Sequence, residues 1–475
     1  MATASQVQKD VLSQIRPNKE QKSKIDSLSR KALSLANKFA HKYKGKAMLA
    51  GSITRNTWLP DKMEFDVFVL FPEKMSEKQL EKAGLDVGKK VIDALKGKHE
   101  TSYAQHPYVR GVVDGVDIEV VPAFEVKSAE FIKSAVDRTP FHVRFVEKKL
   151  SPGLADDVRL LKQMLKASNA YGADSKVDGF SGYVCELLII HYKGFAELLR
   201  AAKRWEPGEV IDMTGAYKKG DLENLRKQFA GQCMILIDPT DKNRNTAAAV
   251  SARNFFKLKR LAADYTSTPT VDYFFQPKRS PMTGPELVEL QRQRHTDIVF
   301  VKFLPPKGHD ENVWPQMRKF ADRLQGILEE SKYEFKVMGK DVFTDGAYLA
   351  GVLFEMEVST LPTVQKRVGP SVFDADDSKR FLEKYVDNIA GPYVEGSNWV
   401  VETRRQFVTA RDKIQDSLAR PIEELQAMGV PKLVAERVAK GFDVLSENDK
   451  ILEEARRNPA FGVFLRKYFD KEKLA

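Results

Sequence analysis

Cysteine is almost absent. Cys185 and Cys233 are the only two in 475 residues, and they lie far apart in apolar runs. That excludes a disulfide framework and any CxxC zinc pattern, and it favours a reducing compartment. Long hydrophobic runs are missing too; the longest fall far short of the roughly 20 residues of a membrane span. The opening stretch, MATASQVQKDVLSQIRPNKEQKSK, is polar and lacks the apolar core of a signal peptide. Internal repeats and low-complexity tracts are lacking as well. The expectation is a soluble, cytoplasmic chain with no membrane partner. Acidic residues are in deficit: 66 Asp and Glu face 77 Lys and Arg, a formal charge of +11. That balance favours a polyanionic partner, nucleic acid first.

What is present supports real cores. Hydrophobic residues make up 42% of the chain, and its length suggests about three domains. Residues 19–43 carry Ile25, Leu28, Ala32, Leu35, Ala36 and Phe39 at helical spacing. Ala47–Ala50 reads as a short strand ending at Gly51-Ser52, and residues 63–71 as the next strand. Residues 76–97 are helical, with Ser76 as N-cap. Strands near 101–104, 109–113 and 116–121 follow, turning at Asp114-Gly115. Residues 1–150 therefore read as a compact α/β domain. Residues 151–268 read as mainly helical, with a strand MILIDP and a polar turn DKNRN before the last helix. Residues 269–475 hold a βαββ module at about 297–358, and 371–475 read as basic and mostly helical.

The stretch GSITRNTWLPDKMEFDVFVLFP carries the chemistry. A strand alternates its faces, so Glu64 and Asp66 share one face while Phe65 takes the other. Two like charges side by side repel, and Mg²⁺ would relieve the conflict, since it takes carboxylate oxygens. Two such ions, about 4 Å apart, can clamp an attacking oxygen and a leaving pyrophosphate. A third carboxylate should come from a neighbouring strand. GVDIEVVPAF offers Asp117 and Glu119 on one face, with Glu119 nearer the apolar end. In the turn before the pair, glycine permits close backbone approach, and the Ser52 hydroxyl, free amides and Arg55 would suit a triphosphate. Taken singly, a Gly-Ser turn is usually only a turn and a surface E-x-D is usually solvated. The ordered set is far more specific.

That order resembles the nucleotidyltransferase superfamily typified by DNA polymerase beta. Within it the chain is similar to the archaeal, class I CCA-adding enzymes (tRNA nucleotidyltransferases). GSITRNTWLP, EFDVFVLFPE, HPYVRGVVDGVDIEVVPAF, SAVDRTPFH, VRLLKQMLK, YGADSKVDGFSGYVCELLI, DPTDKNRNTAAAVS and VKFLPPKGHDENVWPQ look like that family's blocks. They recur in family order over about residues 15–370; 371–475 match more loosely. The resemblance implies an α/β (α+β) multidomain fold: a catalytic head with a mixed sheet, a helical neck, a βαββ-type tail and a basic body. It implies Glu64, Asp66 and Glu119 as the catalytic, metal-binding trio for two Mg²⁺ ions. Glu119 stands where the family often has Asp. It implies Ser52, Arg55, His142, Lys162 and Tyr171 as contacts to the nucleotide's phosphates and sugar, and Arg244 as the arginine that reads the base. It implies addition of CCA to the tRNA 3′ end from CTP and ATP, in tRNA processing and repair.

The residues also have plainer readings. Lys162 would be a lysine at the core edge, its ammonium reaching water, His142 a hydrogen-bonded loop histidine, Tyr171 a packed ring, and Arg244 a surface arginine in a turn. His106 and Tyr108 read as supporting structure, and FSGYVCELLI as core packing with Cys185 a small buried hydrophobe. Rival functions are a poly(A) polymerase or oligoadenylate-synthetase-like enzyme, which would take ATP and not stop at three, and an RNA binder with a dead head. The oligomeric state, a homodimer included, is open.

Overall fold

A computed structural model of the protein describes residues 3–103, 105–275, 279–330, 333–471 and 474. The chain folds as two compact units, residues 1–277 and 278–472.

The first unit opens with helices α1 (Ala4–Ile15) and α2 (Lys19–Ala40). Then come β1 (Lys46–Ala50), β2 (Glu64–Pro72), α3 (Glu77–Ala94), β3 (Lys98–Tyr103), β4 (Pro107–Val113) and β5 (Val116–Glu125). α1 was not legible as a helix, yet Val7, Val11 and Ile15 recur every fourth residue and are buried. α3 starts where Ser76 caps it, in a full capping box with Gln79. The five strands form one sheet in the order β1-β2-β5-β4-β3. Only β2 and β5 pair in parallel; the other neighbours are antiparallel. The two-residue period splits β2 cleanly. Phe65, Val67, Val69 and Phe71 join a core with α2 and α3. Phe68 and Leu70 face the other way, against Val143. Glu64 and Asp66 continue that second face at its open end.

The rest of this unit comprises α4 (Thr139–Lys149), α5 (Ala155–Ala167), α6 (Gly182–Tyr192), α7 (Phe195–Ala202), β6 (Glu209–Ile211), α8 (Leu222–Gln228), β7 (Met234–Asp238), β8 (Asp241–Asn245) and α9 (Ala252–Ser267). α1, α5, α6, α7 and α9 share one core. DKNRN is not a simple turn. It is strand β8, hairpin-paired to β7 with Asp238 opposite Asp241, although it holds no β-branched or aromatic residue.

In the second unit, α10 (Gly284–Arg294), β9 (Asp297–Phe303), α11 (Asp310–Leu328), β10 (Lys336–Thr344) and β11 (Ala350–Val358) include the expected βαββ module. β12 (Val364–Ser371), α12 (Ala375–Lys384), β13 (Ala390–Glu395) and β14 (Asn398–Arg404) follow. α13 (Ala410–Leu418), α14 (Ile422–Ala427), α15 (Lys432–Val438), β15 (Phe442–Leu445), α16 (Asn448–Arg457) and α17 (Pro459–Phe469) complete it. One sheet runs β10-β11-β9-β15. A second, β12-β14-β13, was not expected from the sequence; β13, β14 and β15 add strands to the otherwise helical 371–475. β12 is largely solvent-facing, so no apolar alternation marks it in sequence. No helix among the described residues is long and apolar enough to cross a membrane.

Candidate active site

The parallel register sets Glu64 beside Asp117 and Asp66 beside Glu119. Three of the four acids are the expected trio. Asp117 has its own partner, Arg110, at 3.4 Å. Burial raises the Asp66 carboxyl, and the charges of Glu119 and Glu64 add to it, up to about 7. Burial also raises Glu119, against the pull of Arg110. The cation beside Glu64 is Lys62, with Nζ 2.5 Å from Oε2. One exposed lysine does not neutralise this cluster.

The turn before β2 brings backbone against these acids. Ser52–Arg55 form a single 3₁₀ turn. Gly51 has φ +83°, and a Cβ there would lie 3.0 Å from Asp66 Oδ2. Glycine is therefore required twice over, by conformation and by space.

Ser52, Glu64, Lys162 and Tyr171 line one cavity of about 360 Å³. Trp58, Leu59, Gly172, Ser181 and Gly182 share the lining. A Cβ on Gly182 would sit 3.2 Å from the Tyr171 hydroxyl and 3.6 Å from Lys162 Nζ, so glycine keeps both groups close to the start of α6. Burial pushes the Tyr171 phenol up and the Lys162 ammonium down. Lys162 does not reach outward along the core edge to water. It is buried, and its Nζ donates to the Thr57 carbonyl at 3.1 Å.

Arg55 stands behind this cavity. Its Nε donates to Glu186 Oε2 at 3.1 Å, and Thr57 Oγ1 donates to Oε1 of the same carboxylate at 2.6 Å. Lys162 Nζ lies 4.0 Å from that oxygen. Glu186, on α6, was not singled out from the sequence. The signal was there: one carboxylate inside GYVCELLII, where a buried charge must have partners. Cys185 beside it is buried, and its thiol is pushed up to about 12 by that burial.

His142 and Arg244 meet on a third carboxylate. Asp137 accepts from the amides of Phe124, Lys133 and Ser134 at 2.7, 3.0 and 2.8 Å, which fixes the approach to α4. His142 Nε2 then bonds Asp238 Oδ2 at 2.8 Å, and Arg244 Nη1 donates to the same oxygen at 2.8 Å. The His142 ring stacks on Tyr183, centroids 4.2 Å apart. The Tyr183 phenol is pushed up by burial and by Asp238, and feels Glu186 as well, so this ring stands between the two carboxylate clusters. Asp238, Tyr183 and Lys62 were missed as members of the site; only their neighbours in sequence were picked. His106 is buried edge-on to Phe124, in keeping with a supporting role.

Comparison with known proteins fits this arrangement. Residues 31–142 match the nucleotidyltransferase domain model, 156–275 the second domain of tRNA nucleotidyltransferase, and 294–447 the C-terminal domain of CCA-adding enzyme. The CCA-adding enzyme of Methanoregula boonei is 35% identical over 459 residues, 96% of this chain and 94% of that one. The CCA-adding enzymes of Archaeoglobus fulgidus and Methanocaldococcus jannaschii are 36% and 34% identical over 86% and 94% of this chain, and 87% and 97% of theirs. The chain belongs to the CCA-adding enzyme family. Its matched segments take in every side chain named at this site, and the fold is the mixed α/β multidomain architecture with a nucleotidyltransferase head. Among the described residues of this CCA-adding family member, no three His, Cys, Asp or Glu side chains are gathered closely enough to hold a metal as they stand. The donor chemistry fits a hard divalent cation nonetheless: carboxylate oxygens crowded by their own charge, with Asp66 and Glu119 raised above their usual range.

Proposed function

We propose that this chain extends the 3′ end of tRNA with C, C and A, from CTP and ATP, without a nucleic-acid template and with release of pyrophosphate. The observation that carries the reading is the register of β2 on β5, which sets Asp66 beside Glu119, with Glu64 in the wall of a cavity that also holds Ser52, Lys162 and Tyr171. A triphosphate seated there meets the Ser52 hydroxyl, the Lys162 ammonium and the Tyr171 phenol. Thr57 and Glu186 hold Lys162 and Arg55 in place from behind, so their orientation costs little when the nucleotide arrives. Arg244 has only donors, and its fork suits the O2 and N3 acceptors of cytosine or N1 of adenine. Glu64, Asp66 and Glu119 are the residues that would hold Mg²⁺, two ions in this reading. Bound there, the metal activates a hydroxyl nucleophile and neutralises the leaving pyrophosphate. The excess of +11 supports recognition of the tRNA through its phosphates and A-form shape.

The test is a tRNA transcript lacking its last three nucleotides, given Mg²⁺ with CTP alone, ATP alone, both, or UTP, and read by product length. Two additions with CTP and a stop after three with both are expected. An unbounded ATP ladder would overturn this in favour of a poly(A)-type polymerase.

A further inference from the structure

Asp238 has four donors. Oδ1 receives the Thr240 amide at 2.9 Å and the Thr240 hydroxyl at 2.8 Å. Among the described residues, Oδ2 receives Arg244 and His142. The two oxygens thus divide their work: one builds the β7–β8 turn, the other touches residues assigned above to the nucleotide. Asp238 is almost fully buried. Burial alone would raise its carboxyl. The His142 hydrogen bond and charge, with the two bonds from Thr240, outweigh that and hold it well below the usual range. A carboxylate only accepts, so the shared proton sits on His142 Nε2, and Nδ1 remains for another partner.

We propose that Asp238 is a positioning residue for nucleotide selection: a single oxygen fixes both the Arg244 guanidinium that reads the base and the His142 imidazole that meets the phosphates. The proposal rests on the reading of those two residues given above. Its logic lies in the base edges. Cytosine N3 accepts a hydrogen bond, whereas uracil N3 donates one. Both bases also offer O2, and uracil adds O4. An arginine has donors only, and one free to swing would find the uracil oxygens as readily as cytosine N3. Selection of C over U then requires the fork to be held at one place. The Arg244 side chain is 36% exposed, so its own packing does not hold it; the bond to Asp238 does.

Asp238→Asn separates the two oxygens. It keeps an acceptor for Thr240 and turns an NH₂ group against Arg244 and His142. Initial rates with CTP and UTP would be measured on the full chain with a tRNA lacking its last three nucleotides, together with tRNA affinity. The CTP-over-UTP ratio of kcat/KM should fall about tenfold or more, mainly through KM for CTP, with tRNA affinity within about twofold of wild type. An equal loss for both nucleotides, or an unchanged ratio, would overturn the proposal. Arg244→Ala measured in parallel separates the levels. If it leaves the ratio unchanged, base reading by Arg244 fails. If it relaxes the ratio while Asp238→Asn does not, only the positioning role fails. Should Asp238→Asn melt early, Asp238→Glu decides, since it keeps the charge and moves the oxygens by one methylene. Its ratio should fall too, and wild-type selection by Asp238→Glu would count against the proposal.

Discussion

Asp66 and Glu355 are alike in placement and opposite in circumstance. Each lies inside a nine-residue strand, β2 and β11, among apolar neighbours. Glu355 is fully buried and amply served. Arg294 donates through Nε at 2.6 Å and Nη2 at 3.0 Å, Thr296 through its hydroxyl at 2.8 Å, and Tyr468 through its phenol at 3.0 Å. Burial would raise its carboxyl, but these donors, Arg294 foremost, outweigh burial and hold it low. Asp66 has carboxylates for neighbours, and burial together with Glu119 and Glu64 holds it near 7. A carboxylate that serves the fold arrives with its donors. One kept beside others of its own charge is consistent with the cation-binding role proposed for the trio.

The largest expected effect tests that contrast at the head. Glu64→Ala or Asp66→Ala should lower nucleotide incorporation by at least about a thousandfold, with tRNA affinity retained and the melting temperature unchanged or higher. Retained turnover would remove the trio from the chemistry. Glu355→Ala should behave inversely. Removing it leaves the buried Thr296 and Tyr468 hydroxyls without their acceptor and Arg294 without its partner, and such losses cost about 1–3 kcal/mol. Denaturant unfolding should show that cost, while kcat of the folded fraction stays close to wild type. A stable Glu355→Ala protein would dissolve the distinction.

Acid sharpens the same comparison. The Glu355 carboxyl is lowered from an ordinary value of 4.5. Below about pH 4.5 the unfolded chain takes up this proton first. The stability Glu355 contributes is therefore full above that pH and is lost as pH falls toward its folded value. Glu355→Gln should be less stable than wild type at neutral pH and should converge on it as pH falls below about 4.5. Melting temperatures of the two proteins across that range check the sign. Curves that stay parallel would show that the carboxylate is not the titrating group.

How far the sequence could carry this is visible residue by residue. The apolar run 67–71 and the E-x-D before it marked the strand and its faces, and raised the expectation of a cation. Pattern could not say that β2 and β5 pair in parallel, because register depends on how the intervening α3 and the β3–β4 hairpin pack. Glu186 and Asp238 escaped for a different reason. Glu186 meets Arg55 and Thr57, and Asp238 meets His142, only through the fold, and an acid in an apolar helix or at a strand end shows its role only when such distant partners are placed. β8 and β12 escaped because strand propensity reports fit to a half-buried pleat, and DKNRN and VQKRVGPS face largely outward. Arg244 came from family resemblance; composition alone left it a surface arginine.

The smallest effect concerns Lys62, the cation paired with Glu64 among the described residues. Both side chains are well exposed, 63% and 42%, and an exposed pair contributes less than about 1 kcal/mol. Lys62→Ala should therefore leave the melting temperature nearly unchanged. Its effect should appear in the demand for metal. With the lysine gone, Mg²⁺ no longer competes for Glu64 and meets a more negative cluster. The half-activating Mg²⁺ concentration should fall by a factor of about two to five, the range that up to about 1 kcal/mol allows. Added Mg²⁺ should also raise the melting temperature of wild type and Lys62→Ala but not of Glu64→Ala, a binding readout independent of turnover. If Lys62→Ala needs more Mg²⁺, the lysine serves the substrate rather than holding the place of the metal, and the counter-charge at Glu64 belongs to the bound triphosphate.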